Sequence, residues 1–176
     1  ALTDWVDGYI ARTWKQESKL GTMLDPIADK AMVLIALLVI TGIFGLNPLV
    51  LLPATLIVFR EVFVSGLREF LGEVAGTLKV TKLAKWKTTV QMMAIAMLFA
   101  VGIFEHYLGM GGFGMDGVMI GQILDGKLED LLNLNFLYGG MLVTWYGGVI
   151  LLWVAAVLTV LSGADYFRKA LPHLRG

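Results

Sequence analysis

Four long runs of apolar residues, separated by shorter polar segments, dominate the pattern of the chain. The runs lie near residues 22 to 44, 48 to 71, 88 to 104 and 136 to 162. A helix needs about 20 apolar residues to cross the hydrocarbon core of a bilayer, and tilt accommodates some variation in length. The pattern therefore predicts an all-α fold, namely a polytopic bundle of transmembrane helices.

Polar and turn-forming residues indicate where these helices begin and end. A tight turn between the first two spans is predicted by Gly42, Gly45, Asn47 and Pro48. Proline is tolerated in a first helical turn, so Pro26 predicts the start of the first span, near the membrane surface. Apolar residues at helix-like spacing within residues 122 to 132 predict a short helix that lies on the outer membrane surface.

The composition supports a membrane setting independently of these runs. The 176 residues are 57% hydrophobic and only 16% charged, and the mean hydropathy is +0.76. These values are far from those of an ordinary soluble domain and predict an integral membrane protein with room for a single membrane domain. The sequence contains no cysteine, which excludes disulfides, thiolate metal sites and cysteine nucleophiles.

The distribution of positive charge predicts the orientation of the bundle. Of the 14 lysine and arginine residues, 13 fall within residues 12 to 30, 60 to 87 or 168 to 175, and only Lys127 lies between residues 105 and 135. Positive residues concentrate on the cytoplasmic side of membrane proteins. The N-terminal segment, the loop over residues 72 to 87 and the C-terminus are therefore expected to face the cytoplasm.

Four aspartates precede or begin the first apolar run: Asp4, Asp7, Asp25 and Asp29. On a helix, the first pair is spaced i, i+3 and the second i, i+4, so each pair lies on one face. Four ionised carboxylates repel one another at a membrane boundary, so a cation is expected among them. Oxygen ligands without cysteine favour Mg²⁺ or Mn²⁺ over Zn²⁺, and two ions can share such a site. Alternatively, the aspartates form salt bridges with Arg12, Lys15, Lys19 or Lys30.

These aspartates belong to a longer pattern, D-x-x-D-G-x-x-A-R-x8-G-x3-D-x3-D, that runs from Asp4 to Asp29. At all eight fixed positions it resembles the signature of the CDP-alcohol phosphatidyltransferases. Members of that family have six transmembrane helices, and the aspartate motif joins the second to the third. The resemblance therefore implies a single membrane domain over residues 1 to 176 that is N-terminally incomplete, with the first helix and most of the second absent.

The resemblance also implies roles for the residues of the motif. Asp4, Asp7 and Asp25 are expected to be metal ligands, and Asp29 a ligand or the general base. The residues expected to bind the lipid substrate CDP-diacylglycerol are Gly8, Ala11, Arg12, Ser18 and Gly21. Small side chains at Gly8 and Ala11 would let its diphosphate approach the backbone, although close helix packing is an alternative explanation for them. Arg12 can contact phosphate in a bidentate manner.

A second group of charged residues interrupts the apolar pattern further along the chain. Arg60 lies inside the second apolar run, where a lipid-facing position is difficult to explain. One interpretation is an anion pocket for the phosphate of a polar acceptor, formed by Arg60 and Lys87 with help from Arg68, Lys85 and Arg168. Arg60 can instead pair with Glu61 or an aspartate, and lysines 79 to 85 can form a solvated patch at the membrane surface.

Residues around this second group are similar to one branch of the family. The strings R-E-V-F-V-S-G-L-R-E-F, K-W-K-T-T-V-Q-M and S-G-A-D-Y-F-R-K-A-L resemble the bacterial phosphatidylglycerophosphate synthases. That resemblance implies a homodimer in the bacterial inner membrane that transfers a phosphatidyl group to sn-glycerol 3-phosphate, with no role for nucleic acid. Alternatives are a sister enzyme that uses serine, inositol phosphate or phosphatidylglycerol, an intramembrane prenyltransferase, a divalent-cation transporter and a purely structural subunit.

Overall fold

The computed structural model describes residues 19–77 and 83–174 of the chain. Within these ranges, the side chains that lie outside the description are those of Lys19, Thr22, Met23, Asp25, Pro26, Glu73, Thr77, Leu83, Ala84 and Lys85. The described residues form helices joined by turns and contain no strand. The predicted all-α fold is confirmed.

Five α-helices follow one another along the described chain: α1 (Lys19–Ile43), α2 (Pro48–Leu71), α3 (Leu83–Gly111), α4 (Gly117–Leu124) and α5 (Leu134–Leu174). A short 3₁₀ helix, Gly72–Thr77, follows α2 directly. Among the described residues, three helical segments are long and apolar enough to cross a membrane: Pro48–Leu71, Trp86–Gly111 and Leu134–Leu174. The chain is therefore a membrane protein, as its composition predicts.

The helices extend beyond the apolar runs that predict them. The third run ends near residue 104 and the fourth near residue 162, whereas α3 continues to Gly111 and α5 to Leu174. Polar residues continue a helix when they satisfy one another along its surface, as Lys169 and Asp165 do at 2.7 Å with i, i+4 spacing. Apolar length therefore marks the membrane-crossing part of each helix and not its ends.

Helix α1 begins earlier than the sequence indicates. It is already helical at Lys19, the first described residue, and is continuous through Pro26, so the prediction that Pro26 marks the helix start is wrong. Proline removes one backbone donor, and a helix can continue through it when the neighbouring groups are satisfied in other ways. The chain divides into two compact units after Ala36, and the remaining helices all belong to the second unit.

Helix α5 is the centre of the second unit because it packs against both α3 and α2. The residues of its buried face recur every three or four positions: Leu152, Ala155, Ala156, Thr159, Ser162, Gly163, Tyr166 and Ala170. Most of them are small, which permits the close backbone approach that membrane helices use for packing. At Gly148 the approach is so close that an added Cβ atom would lie 2.9 Å from Leu98 Cδ2.

The predicted turn between the first two spans is confirmed at residues 44 to 47, and Gly42 lies just before it in α1. Gly45 has a φ of 62°, a conformation that glycine adopts without strain. Asn47 caps α2 by accepting a hydrogen bond from the Leu49 amide at 3.0 Å. Pro48 follows at the first helical position, where its missing N–H group costs nothing.

The connection between α3 and α5 differs from its prediction. The short helix covers Gly117–Leu124, and residues 125 to 133 form turns, so the prediction of a helix over 122 to 132 is wrong beyond Leu124. Gly126, with a φ of 73°, reverses the chain directly after α4. Asp130 then accepts hydrogen bonds from the Leu134 amide at 2.7 Å and the Asn135 amide at 2.9 Å. These bonds satisfy donors that the start of α5 would otherwise leave unpaired.

The Asp130 contacts predict a pH-dependent contribution to stability. Hydrogen bonds from the Asn135 amide, and then from the Leu134 amide and the Asn135 side chain, lower the pKa of Asp130 below its usual value of 3.8. A lowered folded-state pKa stabilises the fold at pH values above the unfolded pKa, and that contribution disappears as the pH falls through the folded pKa. We expect Asp130→Ala to lower the thermal unfolding midpoint in detergent at pH 7, and the difference from wild type to shrink below about pH 4. An equally large difference at pH 3 would contradict this account.

Candidate active site

The residues of the aspartate motif are described only in part. Asp4, Asp7, Gly8, Ala11, Arg12 and Ser18 lie outside the described residues. Gly21, Asp25 and Asp29 lie in α1, where the spacing of the two aspartates places both positions on one face of the helix. The Asp29 side chain is exposed, and that of Asp25 lies outside the description.

Most of the predicted metal site therefore lies outside the described residues. Within them, no group of three or more histidine, aspartate or glutamate side chains is placed to hold a metal ion. The side chains of three of the four predicted ligands, Asp4, Asp7 and Asp25, are not among the described ones. The donor chemistry is consistent with Mg²⁺ or Mn²⁺, because all four predicted ligands are carboxylates, which suit hard divalent cations.

The side chains of Arg60, Glu61 and Lys87 in the second group of charged residues are described, and the two cations meet at the one carboxylate. Glu61 Oε1 accepts a hydrogen bond from Arg60 Nη1 at 3.1 Å and another from Lys87 Nζ. Arg60 and Glu61 belong to α2 and Lys87 to α3, so the carboxylate links two membrane helices. This contact confirms the interpretation that Arg60 pairs with Glu61. The same contact brings Arg60 and Lys87 together, as an anion pocket requires.

Helix α5 supplies the third side of this cluster. Arg60 Nη2 donates a hydrogen bond to Ser162 Oγ at 3.1 Å, and Ser162 Oγ donates to the Thr159 carbonyl oxygen at 3.0 Å. Gly163 lies directly beneath the arginine stem, because an added Cβ atom there would be 2.8 Å from Arg60 Cγ and 3.3 Å from Nε. A glycine at this position is therefore what allows Arg60 to lie against α5.

The cluster carries a net positive charge in a largely buried place. The exposed fractions of the Arg60 and Glu61 side chains are 15%, and that of Lys87 is 9%. Two cations and one carboxylate leave a net charge of one positive unit (2 − 1). A charge that is not compensated is costly away from water, so the cluster favours the arrival of an anion.

Three buried polar atoms along the junction of α2 and α5 have no hydrogen-bond partner within the described part of the chain. They are Arg60 Nε, Thr159 Oγ1 and Tyr166 Oη. A buried polar atom without a partner costs about 1 to 3 kcal/mol. Such atoms are usually satisfied by water or by a ligand, so this junction is suited to receive a further polar group.

The other predicted members of the anion pocket have different positions. Arg68 lies over the Tyr166 ring, with Cζ 5.2 Å from the ring centroid, as in a cation–π contact. Arg168 is exposed on α5, and the side chain of Lys85 lies outside the described residues. The structure thus brings Arg60 and Lys87 together and connects Arg68 to α5 through Tyr166.

The contacts of the α5 residues Ser162 and Gly163 with Arg60 are not predicted from the sequence, which indicated only Arg168 from this helix. A signal was present, because Thr159, Ser162, Gly163 and Tyr166 recur at i, i+3, i+4 and i+7 where the fourth apolar run ends. Small polar residues at this spacing also occur at ordinary packing faces of membrane helices. The spacing alone therefore does not reveal that Arg60 lies against this face.

The sequence also matches known proteins over most of its length. The family model described as CDP-alcohol phosphatidyltransferase matches residues 1–161. A protein of Cereibacter sphaeroides named CDP-diacylglycerol–glycerol-3-phosphate 3-phosphatidyltransferase is 57% identical over 176 residues, which cover 99% of this chain and 79% of the relative. Proteins of the same name from Escherichia coli strain K12 and Shigella flexneri are each 37% identical over 140 residues, or 76% of both chains. No solved structure matches the chain.

The match to the family model spans the aspartate motif, the Arg60, Glu61 and Lys87 cluster and most of α5. Members of this family generally depend on divalent metal ions, which agrees with the carboxylate donors of the motif. Both the extent of the match and the identity to the curated relatives lead to one conclusion: the chain belongs to the CDP-alcohol phosphatidyltransferase family.

Proposed function

We propose that this chain transfers a phosphatidyl group from CDP-diacylglycerol to sn-glycerol 3-phosphate, which gives phosphatidylglycerophosphate and CMP. The names of its curated relatives support both substrates. The structural observation that carries the proposal is the convergence of Arg60 and Lys87 on one point between α2 and α3. The family assignment removes the support for a cation transporter or a purely structural subunit.

The cluster favours an acceptor that carries a phosphate. A phosphate monoester has close to two negative charges at neutral pH and several strong acceptor oxygens. Arginine and lysine together provide a directional donor set and a compact charge for such a group. Serine has no phosphate to pair with these cations, whereas glycerol 3-phosphate does.

The donor substrate is assigned to the N-terminal motif. Asp4, Asp7, Asp25 and Asp29 would hold two divalent ions, Mg²⁺ or Mn²⁺, and Gly8, Ala11, Arg12, Ser18 and Gly21 would bind the nucleotide. Bound ions of this kind neutralise the diphosphate and stabilise the departing CMP. The carboxylate chemistry of the four aspartates and the family's dependence on divalent metals support this assignment.

The reaction is a substitution at phosphorus. The 1-hydroxyl oxygen of glycerol 3-phosphate forms a bond to the lipid-bearing phosphorus, and the bond from that phosphorus to the CMP oxygen breaks. Asp29 accepts the proton of the attacking hydroxyl group as general base. Arg60 and Lys87 hold the phosphate of the acceptor and so restrict its orientation.

The setting of the enzyme follows from the charge pattern and the family. The concentration of lysine and arginine in residues 12 to 30, 60 to 87 and 168 to 175 supports an active site that faces the cytoplasm from the bacterial inner membrane. CMP and glycerol 3-phosphate are water-soluble, which agrees with a site at the membrane edge. The proposal of a homodimer rests on the family resemblance alone.

An acceptor screen tests the proposed function. The complete protein in detergent micelles, supplied with CDP-diacylglycerol and Mg²⁺ or Mn²⁺, is expected to release CMP with the highest kcat/KM for glycerol 3-phosphate. Serine should be at least about a hundredfold poorer, because it has no phosphate that Arg60 and Lys87 could bind. A higher kcat/KM for inositol phosphate or phosphatidylglycerol than for glycerol 3-phosphate would overturn the proposed acceptor. It would leave the transfer of a phosphatidyl group from CDP-diacylglycerol in place.

The role of Asp29 predicts a large loss of rate. Asp29→Asn should lower kcat by about 10² to 10⁴-fold, because the amide neither accepts the proton nor contributes a full ligand charge. CMP release followed by chromatography measures the rate. Asp125→Asn, which removes another exposed carboxylate from the turn after α4, is the matched control and should retain activity. A normal rate in the Asp29 variant would remove Asp29 from the mechanism.

The anion pocket predicts an effect that is specific to one substrate. Arg60→Ala or Lys87→Ala should raise the KM for glycerol 3-phosphate by about thirtyfold or more and leave the KM for CDP-diacylglycerol within about twofold. Lys127→Ala removes a cation from an exposed pair outside the cluster and serves as the control. The reverse pattern, with the lipid KM raised and the acceptor KM unchanged, would exclude these cations from the acceptor site.

A further inference from the structure

Glu61 has an unusual position for an acidic residue near a phosphate site. Its Oε1 atom lies between the two cations that the acceptor phosphate needs, and it contacts both of them. Electrostatics alone argues against an anion there, because a carboxylate repels an approaching phosphate. The carboxylate must therefore contribute something that outweighs this repulsion if the site is to bind phosphate well.

The geometry indicates what that contribution is. Lysine has a flexible four-carbon stem, and like charges on Arg60 and Lys87 would drive the two groups apart. A shared carboxylate oxygen holds an α2 cation and an α3 cation at one place. Arg60 is fixed a second time by Ser162 and by its close contact with Gly163. In contrast, the only hydrogen bond described for the Lys87 side chain is the one to Glu61.

We propose that Glu61 is a positioning residue for the acceptor phosphate, which fixes the separation and direction of Arg60 and Lys87 before the acceptor arrives. This inference rests on the proposed function, because it assigns a role within the same acceptor site. Preorganised donors bind an anion without first being ordered, and this gain exceeds the repulsion from the carboxylate. Glu61 therefore improves the binding of the acceptor phosphate, although both groups are negatively charged.

The proposal and a simple charge argument predict opposite changes in the KM for glycerol 3-phosphate. Glu61→Gln keeps the size of the side chain but removes its charge, which raises the net charge of the cluster from one to two positive units. A charge argument predicts a lower KM for glycerol 3-phosphate. Loss of positioning predicts a higher one, by about tenfold, because a neutral amide oxygen is a weaker acceptor for two cations.

The experiment compares four variants of the complete protein in detergent micelles. Glu61→Gln and Glu61→Ala should raise the KM for glycerol 3-phosphate about tenfold or more, and Glu61→Asp should lie between them and wild type because it keeps a carboxylate on a shorter stem. Glu69→Gln removes the same charge from an exposed position on the same helix and should match wild type. The KM for CDP-diacylglycerol should remain within about twofold in all four.

Two further measurements separate positioning from a merely structural role. Inorganic phosphate, used as a competitive inhibitor against glycerol 3-phosphate, should show a Ki that rises in parallel with the acceptor KM. Thermal unfolding reports whether each variant folds. If Glu61→Ala does not fold, the KM of Glu61→Asp is compared with that of wild type instead. An acceptor KM that falls or stays constant in Glu61→Gln, or one that rises together with the lipid KM, would overturn the proposal.

Failure of this inference can be distinguished from failure of the proposed function. If the wild-type protein does not release CMP with glycerol 3-phosphate, or if Arg60→Ala leaves the acceptor KM unchanged, the proposed function itself fails. If both of those results are as expected and Glu61→Gln binds the acceptor as well as wild type does, only the role of Glu61 is lost.

Discussion

The need to pair charge away from water governs the architecture of the second unit. Arg60 lies inside the apolar helix α2. Its partners are Glu61 on the same helix, which Lys87 on α3 also contacts, and Ser162 on α5. Removal of one partner would leave an uncompensated charge, which is more costly than the pair itself is favourable. The contacts that make the charges tolerable are therefore the same contacts that join α2, α3 and α5.

Close packing makes this pairing possible. Gly163 lets the stem of Arg60 lie against α5, and Gly148 lets α5 approach Leu98 on α3. In a bilayer the lipid chains are as apolar as leucine, so helices gain little from apolar contact alone and depend on fit and hydrogen bonds. The small residues of α5 thus serve the candidate site and the packing of the bundle together.

The sequence predicts the helices well and their limits poorly. Apolar length locates the membrane spans because burial in lipid depends on composition. It does not locate the end of α4 at Leu124 or the first residue of α5, because local hydrogen bonds such as those that Asp130 accepts decide where helices end and begin. Arg60 and Lys87 are recognisable as charges out of place. The role of Ser162 and Gly163 is not, because it depends on contacts between residues about 100 positions apart.

Helix α5 has a mechanical consequence beyond its part in the cluster. Its 41 residues correspond to a rod of about 60 Å, roughly twice the thickness of the hydrocarbon core. The rod is continuous from Leu134 to Leu174, so Ser162 and Gly163 are rigidly connected to the membrane-crossing part of the same helix. Tilt of a helix adjusts to bilayer thickness. A change in the tilt of α5 would therefore displace Ser162 and Gly163, against which Arg60 lies, together with the membrane-crossing part of the helix.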